Sequence, residues 1–69
     1  MRITVRAIVV QELKGDLFKL KLDEHPDHIV FAKLAGKLRI SHITVKAGDL
    51  VSVELSPYDL TRGRVTWRH

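Results

Sequence analysis

The chain has 69 residues, a formal net charge of +4 and no cysteine. A domain this small buries only about 60% of its unfolded surface, which leaves little room for a deep catalytic pocket, and without cysteine it has neither disulfides nor thiolate metal sites. No apolar run exceeds four residues, whereas a membrane-spanning helix needs roughly 20, and no segment has the layout of a signal peptide. We therefore expect one soluble, cytoplasmic domain over residues 1–69.

The first third of the chain has the pattern of two strands joined by a turn. Apolar residues occupy alternate positions from Ile3 to Val9, the period of a half-buried strand, and the shift at Val9–Val10 indicates a bulge. Lys14–Gly15–Asp16 predicts a short turn. A second alternating run, Phe18 to Leu22, has two lysines on its polar face and is broken by the acidic, proline-containing segment 23–27.

A short third strand is predicted at Ile29–Ala32, followed by the only helical segment. Residues Leu34 to His42 can form one or two helical turns, and Gly36 disfavours a long helix. The turn Ala47–Gly48–Asp49 leads into a fourth strand, in which apolar and polar residues alternate until Ser56–Pro57 ends it.

A fifth strand is predicted around Val65 and Trp67, with Arg64, Thr66 and Arg68 on the opposite face. The order βββαββ is that of an all-β, five-stranded Greek-key OB-fold barrel with a short helical turn between strands 3 and 4, a fold that commonly binds nucleic acid on one face. An SH3-like barrel fits the periodicity almost as well. The connection between strands 3 and 4, together with a family resemblance given below, favours the OB-fold.

Positive charge is concentrated in the second half of the chain. Residues 1–32 have equal numbers of basic and acidic residues, whereas residues 33–69 have seven basic and three acidic ones. We expect this half to meet a polyanion. The alternative is a solvated surface on which lysine and arginine only maintain solubility.

The arginines of the fifth strand are the first candidates for RNA contact. Arg64 and Arg68 fall on the same predicted face, and Arg62 extends the patch. Arginine suits this role because its planar fork binds phosphate bidentately and can also stack on a base. Alternatively, Arg64 or Arg68 only pairs with Glu54 across the hairpin.

Two segments carry a family resemblance. The run Val53-Glu54-Leu55-Ser56-Pro57-Tyr58-Asp59-Leu60-Thr61-Arg62-Gly63-Arg64, with Gly36-Lys37-Leu38-Arg39 upstream, closely resembles the C-terminal half of bacterial translation initiation factor one, an S1-like OB-fold family. Residues 36–68 align without a gap, and residues 5–35 follow the family's strand pattern more loosely. The resemblance implies a protein that binds the decoding (A) site of the small ribosomal subunit, contacts its rRNA and a neighbouring ribosomal protein, blocks early tRNA entry and cooperates with initiation factors two and three.

Within this resemblance, the cations of the helical connection and the last strand are the expected RNA-binding residues. They are Lys33, Lys37, Arg39, Arg62, Arg64 and Arg68, with Tyr58 and His42 as candidate partner contacts. Further basic residues of the family are replaced here by Ile40 and Thr44, which implies a shifted affinity, and Lys33 restores one charge. Alternatively, Lys37 and Arg39 are ordinary solvated loop charges.

Aromatic residues are sparse. The chain has four, which is few for the stacking platform of a single-strand binder. Phe18, Phe31 and Trp67 share registers with aliphatic residues and are expected in the core, with stacking on bases as the alternative. Tyr58 either packs over a barrel end or faces a partner, and Asp59 is expected to accept backbone N–H groups of its turn.

The chain is expected to be a monomer that is not an enzyme and holds no metal or other cofactor. Its histidines are dispersed without ligand spacing, and it has no nucleophile motif or carboxylate pair. Two alternatives to ribosome binding stay open. A general single-stranded RNA-binding or RNA-chaperone module would bind oligonucleotides and subunits alike, whereas a protein-interaction module would bind with little dependence on salt.

Overall fold

A computed structural model describes residues 3–69; Met1 and Arg2 of the predicted domain lie outside the described residues. Five strands and one helix follow the predicted order. The strands are β1 (Ile3–Leu13), β2 (Leu17–Leu22), β3 (Ile29–Leu34), β4 (Leu50–Ser56) and β5 (Asp59–Arg68), and the helix α1 (Gly36–Ile40) connects β3 to β4. β3 is two residues longer than predicted, and β5 already begins at the β4–β5 turn.

The strands close into a barrel in the order β1-β2-β3-β5-β4. Neighbouring strands are antiparallel, except that β3 and β5 run parallel. A parallel pair needs a long crossover connection, and here α1 and β4 supply it. The topology is that of the predicted OB-fold, and the helix with its crossover excludes the SH3-like alternative.

The core is formed by the inward faces of all five strands and is closed by α1. Leu38, which is 1% exposed, is the residue that α1 buries. Among residues 3–69 no polar or charged side chain is buried, so hydrophobic burial dominates the packing. The strand residues of this core are Ala7, Val9, Phe18, Leu20, Leu22, Val30, Ala32, Val51, Val53, Leu55 and Val65.

The bulge predicted in β1 is confirmed. Val9 pairs with Leu20 and Gln11 pairs with Lys19, so Val10 is an extra residue on β1. A bulge bends a strand and increases its twist. β1 can therefore pair with β4 along its first half and with β2 along its second, which closes the barrel.

Phe18 lies in the core as predicted, but the prediction for Phe31 is wrong. Phe31 is 40% exposed on the outer face of β3. Directly opposed residues of a sheet project to the same side. Because Val30 opposes Leu20 and Ala32 opposes Phe18, these two residues of β3 enter the core and Phe31 faces outward.

The prediction that Trp67 belongs to the core is also wrong. Val65 opposes Val53, whereas Trp67 opposes Ser52, so Thr66 is an extra residue on β5. The inward–outward alternation shifts at this bulge. Trp67 therefore stands on the outer face and is 54% exposed.

Candidate nucleic-acid interface

A basic patch covers the outer face of β2, β3 and β5. Lys19 opposes Phe31, which in turn opposes Arg62, and in the next outward row Lys33 opposes Arg64. Adjacent strands are about 4.8 Å apart and rows two residues apart are about 7 Å apart, so these side chains form one surface. We refer to Lys19, Phe31, Lys33, Arg62 and Arg64 as the strand patch.

Both arginines of the strand patch have an acidic neighbour. Arg64 Nη2 donates to Glu54 Oε1 at 3.0 Å, and Arg62 Nε lies 3.6 Å from Asp59 Oδ2. The pairing of Arg64 with Glu54, one of the two alternatives, is thus present. The side chains of Arg64 and Arg62 are nevertheless 56% and 78% exposed, so both guanidinium groups are open to solvent. The pair of Arg62 with Asp59 is exposed on both sides and contributes only about 0–1 kcal/mol, whereas Glu54 is 19% exposed. A phosphate can therefore compete for both guanidinium groups.

Arg68 does not share a face with Arg64, so that part of the prediction is wrong. The bulge at Thr66 brings Arg68 opposite Val51 instead. Its Nη1 donates to the carbonyl oxygen of Thr44 at 2.6 Å. Arg68 thereby links the end of β5 to the segment that follows α1.

The predicted helical turn is confirmed, and it carries two further cations. The backbone N–H of Ala35 donates to the carbonyl oxygen of Val65 at 2.8 Å, so α1 starts where the pairing of β3 with β5 ends. Leu38 turns inward, while Lys37 and Arg39 are exposed. We refer to Lys37 and Arg39 as the helix pair.

The end of α1 exposes an apolar and an imidazole side chain. Ile40 is 81% exposed. His42 follows with a positive φ of 54° and donates its backbone N–H to the carbonyl oxygen of Arg39 at 3.2 Å. A left-handed residue of this kind commonly ends a helix. His42 is exposed and so is accessible to a partner.

Tyr58 stands at the β4–β5 turn and is 97% exposed, which excludes packing over the barrel end. Asp59 next to it caps the turn as predicted. Its Oδ1 accepts the hydroxyl of Thr61 at 2.6 Å and the backbone N–H of Thr61 at 2.9 Å. These hydrogen bonds, with a smaller contribution from Arg62, hold the pKa of Asp59 below its ordinary value.

Two members of the strand patch were missed at the level of the sequence. The sequence could have indicated Lys19 as a candidate RNA-binding residue, because it lies on the basic polar face of β2, and β2 pairs with β3. No sequence pattern could have indicated that Phe31 faces outward, because β3 is apolar on both faces at Ile29, Val30 and Phe31. The strand alternation could not show which face would turn outward.

Neither a metal site nor a membrane-spanning helix is found in the described part of the chain. Among residues 3–69, no three histidine or acidic side chains are grouped so that they could hold a metal ion. No helix in that range is long and apolar enough to cross a bilayer.

Comparison with known proteins identifies the family. Residues 2–69 match the family model of translation initiation factor 1A / IF-1. The chain belongs to this family. The translation initiation factor IF-1 of Solibacter usitatus (strain Ellin6076) is 51% identical over 67 residues, which cover 97% of this chain and 90% of that protein.

A solved structure supports the same assignment. The solution structure of translation initiation factor IF-1 from the Wolbachia endosymbiont strain TRS of Brugia malayi matches with a TM-score of 0.79 and 34% identity, covering 99% of this chain and 78% of that one. The resemblance seen in the sequence is therefore confirmed. The IF-1 assignment supports a role in translation initiation, carried out by an OB-fold barrel.

Proposed function

We propose that this protein binds the small ribosomal subunit at its decoding (A) site and there blocks early tRNA entry. It contacts rRNA and a neighbouring ribosomal protein, and it cooperates with initiation factors two and three. It acts in the cytoplasm as a monomer, without catalysis and without a cofactor. Family membership supports the place in initiation, and the basic surface supports RNA as the partner.

The observation that carries this proposal is the convergence of cations on one barrel wall. Lys33, Arg62 and Arg64 occupy adjacent outward positions of β3 and β5, and α1 with the helix pair begins where the pairing of these two strands ends. Because these side chains belong to paired strands of a closed barrel, the strand pairing fixes the distances between them. A fixed array of cations suits folded RNA, which is recognised largely by its shape and its phosphates.

The remaining predicted residues belong to neither the strand patch nor the helix pair. Arg68 stays a proposed RNA contact. It lies at the end of β5, where it donates to Thr44 of the segment after α1, and it is separate from the strand patch. Tyr58 and His42 are proposed contacts to the ribosomal protein, because both are exposed at turns and belong to neither the strand patch nor the helix pair.

The proposal is tested by titrating purified small subunits with the protein at several salt concentrations. The first variant replaces Lys33, Arg62 and Arg64 with alanine. Each lost phosphate contact should flatten the slope of log affinity against log salt by about 0.7–0.9, and three lost contacts by roughly 2 or more. Circular dichroism of the same variant checks that the barrel remains folded.

A matched control removes the same charge elsewhere. Alanine at Arg6, Lys14 and Lys46, which are exposed and lie outside both the strand patch and the helix pair, should leave the slope close to wild type. If both triple variants flattened the slope equally, subunit binding would depend on net charge and not on the position of the cations. Subunit affinity that does not change with salt concentration would favour a protein-interaction module. Equal affinity for short oligonucleotides and for subunits would favour a general single-strand binder.

A further inference from the structure

An exposed phenylalanine lies in the middle of the basic patch. Phe31 is flanked across the sheet by Lys19 on one side and Arg62 on the other. It projects outward from the wall and 40% of its surface is open. Packing in the core therefore does not explain why an aromatic residue stands at this position.

We propose that Phe31 is a stacking platform for an unpaired base of single-stranded RNA. The flanking cations, Lys19 and Arg62, hold the phosphates on either side of that base, and Lys33 with Arg64 hold the next ones along the strand. This inference rests on the proposed function only in taking RNA as the partner. It adds a contact to a base where the proposed function requires contacts to phosphates alone.

The geometry favours a nucleotide over other partners. Two strand spacings separate Lys19 from Arg62, so cations stand about 10 Å apart with the ring between them. An aromatic face accepts any base by stacking, and an adjacent cationic groove follows the backbone. A protein partner of ordinary kind needs an apolar centre that is depleted of charge, whereas Phe31 has Lys19 and Arg62 on its two cross-strand sides.

The test uses the free protein and the oligonucleotide rA6 at low salt, followed by NMR. The ring protons of Phe31 should shift upon addition of rA6. Phe31→Leu retains an apolar strand residue outside the core but removes the aromatic face, and it should weaken rA6 binding by roughly 5-fold or more. An abasic oligomer of the same charge should bind wild type and Phe31→Leu equally.

Trp67→Leu is the matched control, because Trp67 is also an exposed aromatic residue of the outer face but its neighbour on β4 is Ser52 instead of a cation. It should leave rA6 binding unchanged. The inference is overturned if rA6 does not bind, if Phe31→Leu binds it as tightly as wild type, or if Trp67→Leu loses as much. The subunit titration is independent of these results, so the proposed function can stand where this inference fails.

Discussion

Gly63 is enclosed by the strands on both sides of β5, so replacing it with alanine should destabilise the barrel. It opposes Leu55 of β4 and Ala32 of β3. A Cβ atom at this position would lie 2.5 Å from the carbonyl oxygen of Glu54 and 3.1 Å from Cγ2 of Val53. The nearer of these atoms belongs to the backbone of β4, so a side-chain rotation cannot relieve the contact.

The expected magnitude follows from that contact. The two strands must separate by about 0.5 Å at this point to restore the 3.0 Å that real Cβ contacts require. Overpacking of this kind costs about 1–3 kcal/mol, and the reduced entropy of the unfolded chain offsets about 0.4–1 kcal/mol of it. The free energy of unfolding should therefore fall by about 1–2 kcal/mol, which in a domain of this size lowers Tm by roughly 4–16 °C.

Gly36→Ala is the control for this measurement. Gly36 starts α1, and a Cβ there would meet no atom within 4 Å. Alanine should be neutral or stabilise by up to about 1 kcal/mol, because it favours the helix. Urea and thermal unfolding of both variants are followed by circular dichroism. Identical midpoints for Gly63→Ala and Gly36→Ala would refute the claim that β4 and β5 approach too closely for a side chain.

Four further predictions follow from the same geometry. Leu38→Ala should lower the free energy of unfolding by about 2–5 kcal/mol in urea titrations, whereas Ile40→Ala should change it by about 0.5 kcal/mol or less; equal effects would contradict the packing of α1. Glu54→Gln frees Arg64 and should raise affinity for small subunits at low salt, a gain that disappears at high salt; no gain at any salt would show that this pair does not compete with RNA. Ile40→Lys adds a cation to α1 and should steepen the salt slope of subunit binding by about 0.7–0.9 if this end of the helix faces phosphate; an unchanged slope would place it away from RNA. The carboxylate of Asp59 should titrate below its ordinary pKa when followed by NMR. Because its pKa is lower in the folded than in the unfolded protein, this carboxylate stabilises the fold at pH above the unfolded pKa, and that stabilisation is lost as pH falls through the folded pKa. Asp59→Asn should therefore flatten the acid limb of the curve of stability against pH, and titration of Asp59 at its ordinary pKa would contradict this.

The strands with a clear binary pattern were predictable from the sequence. In β4, three apolar residues alternate with polar ones, and the barrel buries Val51, Val53 and Leu55 as that pattern predicts. The bulge at Val10 was predictable as well, because two adjacent valines interrupt the alternation of β1. Period-two alternation works here since each of these strands has only one face that can be buried.

The candidate site was predictable only in part. The cations of α1 and the central part of β5 were identified by charge and by resemblance to the family, and Lys37, Arg39, Arg62 and Arg64 are all exposed. The grouping of these cations on one surface could not be predicted, because cross-strand neighbours depend on which strands pair and in which register. Lys19 becomes part of the strand patch only through the pairing of β2 with β3.

The sequence alone determined the order of elements and the family, because strand period, turn residues and the segment Val53–Arg64 are local properties of the chain. It favoured the OB-fold, and the strand order of the closed barrel then excluded the SH3-like alternative. The tertiary structure decided which aromatic residues face outward and that Arg68 leaves the face of Arg64. β3 is apolar on both sides, so only its pairing with β2 selects the side that is buried. The extra residue at Thr66 is defined only against β4, since a bulge is a mismatch between two strands.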